Sequence, residues 1–395
     1  MTTKYERDLG LKEENIFSIR NKGLKFDSAN DIKEYIEQIE NLKLCYKIDI
    51  SGNTISPECS QLLANAMKKH KETIKDVNFQ DIYVSRDRFE IPASLDFFFP
   101  VLLEMPQLSV LNLSDNAFGQ DTITQLEGFI SEMTVEHLIL SNNGLGPLSG
   151  ARIGKALFKN AKIRKFKNAQ SLKSFWCGRN RLENGSCDAL SLGFKAHSQL
   201  EEIKLYQNGI RPKGLSTLIT FGLSSLSELK VLDLQDNTMT SSGSLALANA
   251  LQGWKNLIEL NLNDCLLKPK GSLQVVQALG RLENSNLQVL RLQYNELEED
   301  SLDVLSHVVI NLNQLSTLEL NGNRFDEDSH SLAKINDLFE ERGLGEVDEL
   351  DDLEELDSEE EEEDSDEEDN EVADDDDQVK QRLEKLTLEL ASVAI

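Results

Sequence analysis

No apolar run in this 395-residue chain approaches the ~20 residues that a membrane-spanning helix needs. Residues 1–10 (MTTKYERDLG) are polar and charged, unlike a secretory leader, so neither a membrane nor the export route is expected. The five cysteines are scattered without a C-x-x-C pair, which removes the common zinc and dithiol frameworks and leaves small buried residues suited to a reducing compartment. The five histidines stand singly. His137, in the run V-E-H-L, has no serine or cysteine near it in sequence that would suggest a triad. A phosphate-cradling loop is missing too: Gly144 and Gly146 are not followed by the lysine and hydroxyl residue that such a loop requires. No nucleophile, base and orienting group converge, so the chain is not expected to be an enzyme with its own active site.

Cationic residues are absent from one stretch altogether. Residues 346–377 contain 23 Asp and Glu and no Lys or Arg, and setting them aside reduces the net charge from −29 to −6, an ordinary soluble surface. A run that repels itself and has little to bury is expected to be disordered. The following residues, 378–395 (QVKQRLEKLTLELASVAI), regain an apolar spacing that suits a short amphipathic segment.

What is abundant is a repeat. Versions of L-x-x-L-x-L-x-x-N recur ten times, most clearly as Leu108-Leu111-Leu113-Asn116, Leu229-Leu232-Leu234-Asn237 and Leu315-Leu318-Leu320-Asn323. The last position of the motif falls at 53, 82, 116, 143, 180, 208, 237, 265, 295 and 323, and the regular step is 28 to 29. A leucine-rich repeat of that length has room for a strand and a full helix, as in 241–251 (SSGSLALANAL) and 271–279 (GSLQVVQAL). The expected fold is therefore α/β: a leucine-rich repeat solenoid of the ribonuclease-inhibitor type, with a parallel concave sheet, in one elongated body over residues 1–345. The motif asparagine is read as a ladder residue, its amide tying one turn to the next. Cysteine stands in that place at 265 and isoleucine at 82.

Two steps are overlong, 34 between 82 and 116 and 37 between 143 and 180, and insertions in solenoids become loops gathered on one face. The first carries Arg86 and Arg88. The second carries Lys159, Lys162, Arg164, Lys165, Lys167 and Lys173, and is read as a basic loop. Nucleic acid is not expected there, given few aromatics and an acidic chain. Between the insertions lies NNGLGP at 142–147, and the register separates its asparagines. Asn143 is the buried ladder residue. Asn142 falls just past the strand, where its amide is expected to project with donor and acceptor both free; a turn-favouring role suits the same position. An exposed arginine in an inserted loop, such as Arg86 or Arg88, is ordinarily a solvated charge, and it is also what a phosphate or transition-state contact requires. Arg179 and Arg181 flank the ladder residue Asn180.

These segments resemble the Ran GTPase-activating proteins, closely in their short fungal form. The resemblance runs from about residue 15 to 356 and is carried by NNGLGP at 142–147, CGRNRLENGS at 177–186, QNGIRP at 207–212, LNDCLL at 262–267, LRLQYNE at 290–296, LELNGNRF at 318–325 and ELDDLEEL at 349–356. It implies stimulation of GTP hydrolysis by the small GTPase Ran in its GTP-bound form, in support of nucleocytoplasmic transport. Asn142 would orient the GTPase's own catalytic glutamine without an arginine finger. By the same resemblance, Arg86 matches the arginine before E-I-P that sets interface geometry, and Arg88, Arg179 and Arg181 would bind the partner. Arg88 stands where the family has lysine and Ser85 where it has glycine. No cofactor of its own is implied, since GTP and magnesium come with the GTPase, and a Ran-binding protein would complete a ternary complex. No further domain is expected before or after the repeats, and residence in the cytoplasm follows, with Leu383, Leu386, Leu388 and Leu390 spaced like a leucine-rich export signal. Two other readings share the repeat: an acidic leucine-rich protein that binds histones or phosphatases, and an inhibitor-like module that places no special demand on Asn142.

Overall fold

In the computed structural model, which describes residues 9–282, 286–343, 346–348, 350–354 and 376–392, a three-residue strand begins six residues before every ladder position. Lys47–Asp49 precedes 53, Val110–Asn112 precedes 116, His137–Ile139 precedes 143 and Thr317–Glu319 precedes 323. The middle residue of each triplet, from Ile48 to Leu318, is fully buried, because the strand is covered on the side where the motif leucines point. Each of these strands leads into a helix, and helices of successive repeats pack side by side from Ala29–Asn41 to Gly146–Lys167 and again from Cys187–Ala196 to His330–Arg342. Proline in the first turn opens the helices Pro57–Lys68, Gly146–Lys167, Pro212–Phe221 and Lys268–Leu279, where its missing N–H costs nothing.

The chain divides into two compact units, residues up to Asn180 and residues from Arg181. Within the first, parallel strands pair first residue to first residue, Ile16 with Lys47, Lys47 with Asp76, Asp76 with Val110, Val110 with His137 and His137 with Ser174. Within the second the same pairing runs from Glu202 through Val231, Glu259, Val289 and Thr317 to Glu346. Equal registers follow from the ladder. Asn143 Nδ2 donates to the Leu140 carbonyl of its own turn (2.9 Å) and to the Leu113 carbonyl one repeat earlier (3.0 Å), while its Oδ1 accepts from Asn116 N–H (2.9 Å). Cys265 fills the same place with a thiol that donates to the Leu234 carbonyl, and its N–H donates to Asn295 Oδ1.

Three expectations are corrected. The overlong step after Asn143 is not a basic loop but a 22-residue helix, Gly146–Lys167. Arg164, read as one of its loop cations, is buried: it donates to Asn160 Oδ1 and to the carbonyls of Thr134, Gln170 and Val135. The first insertion is a loop only over residues 83–89, before the helix Glu90–Leu103. The acidic run also begins inside the fold, since Glu346–Val347 pairs with Thr317–Glu319 and the Asp348 carboxylate accepts from Leu320 and Asn321 N–H. Residues 355–375, where the disordered tail was expected, lie outside the described residues. Beyond them a helix, Asp376–Ser392, packs on the helix Cys187–Ala196.

Candidate functional site

The residue just before each ladder position adopts left-handed backbone. In the first unit these are Gly52, Asp81, Asp115, Asn142 and Arg179, with φ from 54° to 68°. Four of them are pinned by their own N–H: Gly52 donates to the Gln80 carbonyl, Asp81 to Ser114, Asp115 to Ser141 and Asn142 to Gly178, at 2.8 to 3.0 Å. The positive φ swings one side chain per repeat away from the buried ladder, and Asn and Asp accept this conformation more readily than most residues. A rim of equivalent positions results, with Asp115 and Asn142 on adjacent repeats.

Asn142 is exposed and Asn143 wholly buried, as the register requires. The Asn142 amide is not free at both ends, however. Its Nδ2 donates to Asp115 Oδ1 at 2.7 Å, and the other Asp115 oxygen accepts from Gln80 Nε2, also at 2.7 Å. Gln80 Oε1 accepts from Asn112 Nδ2 (3.3 Å), and Asn112 Oδ1 accepts from Ser114 N–H (3.0 Å). What Asn142 presents outward is therefore its carbonyl oxygen. Next along the rim, burial and the Asp115 charge hold the Asp81 carboxyl above its usual range.

Arg86 is not an exposed charge. Its side chain is 11% accessible, with Nε donating to Thr54 Oγ1, Nη2 to the Phe26 carbonyl and to Asp27, and Nη1 facing Glu90 at 3.6 Å. The strands Lys25–Phe26 and Thr54–Ile55 pair with each other, so this one guanidinium fastens the loop at 83–89 to both. Arg88, 70% accessible, lies over the Phe89 ring at 4.7 Å and 3.8 Å from Asp121. Arg179 is exposed, at φ 56°, and has no partner among the described residues. In the second unit Arg181 is exposed and lines a groove of about 360 Å³ with Glu183, Gln207, Asp236 and Asp264. The geometry thus joins Asn142 to Asp115 and Gln80, which sequence reasoning passed over, and shows no hydrogen bond from Arg86 or Arg88 to Asn142. The missed signal was the register itself, since Asp115 holds in its repeat the position that singled out Asn142.

Two other arrangements carry no chemistry. His137 Nδ1 lies 2.8 Å from Ser174 Oγ, a pair made by strand registry, but Ser174 is wholly buried and out of reach of any substrate. All five cysteines are buried and outside any disulfide, and burial raises the Cys177 and Cys187 thiols to about 12, far from a reactive thiolate.

A leucine-rich repeat family model matches residues 226–248. The chain is 49% identical over 339 residues to Ran GTPase-activating protein 1 of Saccharomyces cerevisiae, a match spanning 84% of this chain and 83% of that protein. It is 40% identical over 215 residues to Ran GTPase-activating protein 2 of Caenorhabditis elegans, covering 53% of this chain and 22% of the relative. The Drosophila melanogaster Ran GTPase-activating protein is 30% identical over 323 residues, covering 80% and 54%.

Proposed function

The chain belongs to the Ran GTPase-activating protein family, and from that membership we propose that it stimulates GTP hydrolysis by GTP-bound Ran through the Asn142 amide, without an arginine finger. Hydrolysis by such a GTPase is slow because the attacking water must be held in line while charge on the transferring phosphoryl group is stabilised. The GTPase brings the nucleotide, the magnesium and a glutamine able to hold that water. What it lacks is a fixed glutamine, and an outward carbonyl oxygen accepts the glutamine's amide N–H and stops its rotation. The activator contributes no reacting group and is unchanged by the reaction, so it completes an active site rather than owning one.

The observation that carries this reading is the outward Asn142 Oδ1 on a backbone pinned to Gly178 and flanked by buried residues. Arg86 supports it from the other side. Entering a nucleotide site would require it to leave Thr54, Phe26 and Asp27, so it is better suited to holding the loop at 83–89 against the partner. Arg88, Arg179 and Arg181 are exposed and serve as contacts.

Single-turnover hydrolysis of Ran-bound GTP tests the reading. The parent protein accelerates the reaction, and Asn142→Ala loses ~10²-fold or more of that acceleration while binding GTP-bound Ran with parental affinity. An Asn142→Ala protein as active as the parent would overturn the mechanism.

A further inference from the structure

We propose that Asp115 is a positioning residue for this reaction: its carboxylate, set through Gln80 and Asn112, decides which end of the Asn142 amide meets the partner. The inference rests on the reading of Asn142 given above. An exposed asparagine rotates about its last torsion with little preference, exchanging carbonyl and amino ends. A carboxylate has only acceptors, so the group facing Asp115 Oδ1 at 2.7 Å is the amino end, and the carbonyl is left to face outward. The same logic fixes every member of the chain of bonds. Ser114 N–H donates to Asn112 Oδ1, which leaves Asn112 Nδ2 to donate to Gln80 Oε1, which in turn leaves Gln80 Nε2 to donate to Asp115 Oδ2. One polarity runs from a backbone N–H, whose direction cannot change, to the carboxylate. The Asp115 backbone is held in its left-handed conformation by the Ser141 carbonyl, and its carboxylate by Gln80 Nε2 and Asn142 Nδ2 on separate oxygens.

The carboxylate does a second thing. A hydrogen bond to a charged acceptor is shorter and stronger than a neutral one, and it pulls electron density through the amide toward Oδ1. Asn142 thereby becomes a better acceptor for a glutamine N–H. Loss of the flip preference alone halves the competent population. Loss of a fixed and polarised oxygen costs more, about tenfold in the hydrolysis step.

Asp115→Asn tests this, because an amide at position 115 has one acceptor where the carboxylate had two. Its amino end must then face a donor, either Gln80 Nε2 or Asn142 Nδ2, unless a neighbour flips. The expected result is a saturating single-turnover rate reduced about tenfold, with the Ran concentration at half-saturation and the melting temperature unchanged. Gln80→Glu combined with Asp115→Asn moves the carboxylate one place along the chain. The carboxylate introduced at position 80 then accepts from Asn112 and from the new amide at position 115, whose oxygen accepts from Asn142 Nδ2, and most of the rate returns. A parental rate in Asp115→Asn sinks the proposal, as does a loss that Gln80→Glu leaves unrepaired or one that appears only as weaker half-saturation, the mark of a contact residue. An inactive Asn142→Ala beside a fully active Asp115→Asn removes this inference alone. A fully active Asn142→Ala removes the reading beneath it.

Discussion

Asn142 and Asn143 are chemically identical neighbours with opposite surroundings, and a single torsion separates them. At φ 55° the Asn142 side chain turns outward, while that of Asn143 turns inward, where Nδ2 donates to the Leu113 and Leu140 carbonyls and Oδ1 receives Asn116 N–H. Asn143→Ala takes from the buried Asn116 N–H its acceptor and removes one donor from each of the Leu113 and Leu140 carbonyls, which keep Asn116 Nδ2 and Asn180 Nδ2. We expect it to lower unfolding stability by ~1 to 3 kcal/mol, read by denaturant titration. Asn142→Gly, which keeps the left-handed backbone relaxed, should change stability by no more than ~0.5 kcal/mol. Equal losses in the two variants would contradict the register. That register was legible in the sequence, because counting from the motif separates the two asparagines. The Asp115 bond was not, since its partner lies a repeat away and only strand pairing brings the two rim positions side by side.

The helix Gly146–Lys167 shows why an element can hide. Its buried positions include Ile153, Leu157, Asn160 and Arg164, spaced as one helical face, but the last two are polar and break the apolar stripe by which helices are recognised. They belong in the interior because they satisfy each other and several backbone carbonyls at once: Asn160 donates to the Ser131 and Met133 carbonyls, and Arg164 reaches Thr134, Val135 and Gln170. The cost of burial shows in the guanidinium, which desolvation brings down to about 10. Replacing Arg164 with Met, similar in reach but without donors, should cost about 3 kcal/mol or more by leaving those carbonyls unpaired. Stability equal to the parent in a urea melt would show that the network contributes nothing. At the other end of this element, exposed Lys165 and Lys167 sit in the last turn, where cations complement the helix dipole, so the apparent basic loop is in part a helix terminus.

At the scale of the whole molecule, the ten motif copies all become strands, and two strands without the motif, Ile16–Ser18 and Glu346–Val347, pair onto the first and last of them. Acidic residues after the last repeat contribute to the fold there: Asp351 accepts from Asn321 Nδ2, and Glu354 pairs with Arg324 at 2.9 Å. The helix Asp376–Ser392 buries Val379 and Leu383 against Cys187–Ala196, with Arg382 3.1 Å from Asp188. Of the four leucines spaced like an export signal, Leu383 is thus in the contact while Leu388 is 71% exposed, so the set is available together only when the helix leaves its seat. Leu383→Asp removes one buried side chain worth ~1.5 to 3 kcal/mol and should release the helix, read as lost hydrogen-exchange protection over 376–392 with the repeats still protected. Unchanged protection there would mean that the contact is not held by its apolar residues. Among the described residues no helix is long and apolar enough to cross a membrane. The sequence by itself determined the repeat, the strand positions, the ladder and the family, because each is written in local spacing or in matched segments. Tertiary structure alone decided that Asp115 fixes the Asn142 amide, that Arg86 is a fastening and that Arg164 is interior, because each depends on groups some 27 residues or more away being brought within a hydrogen bond.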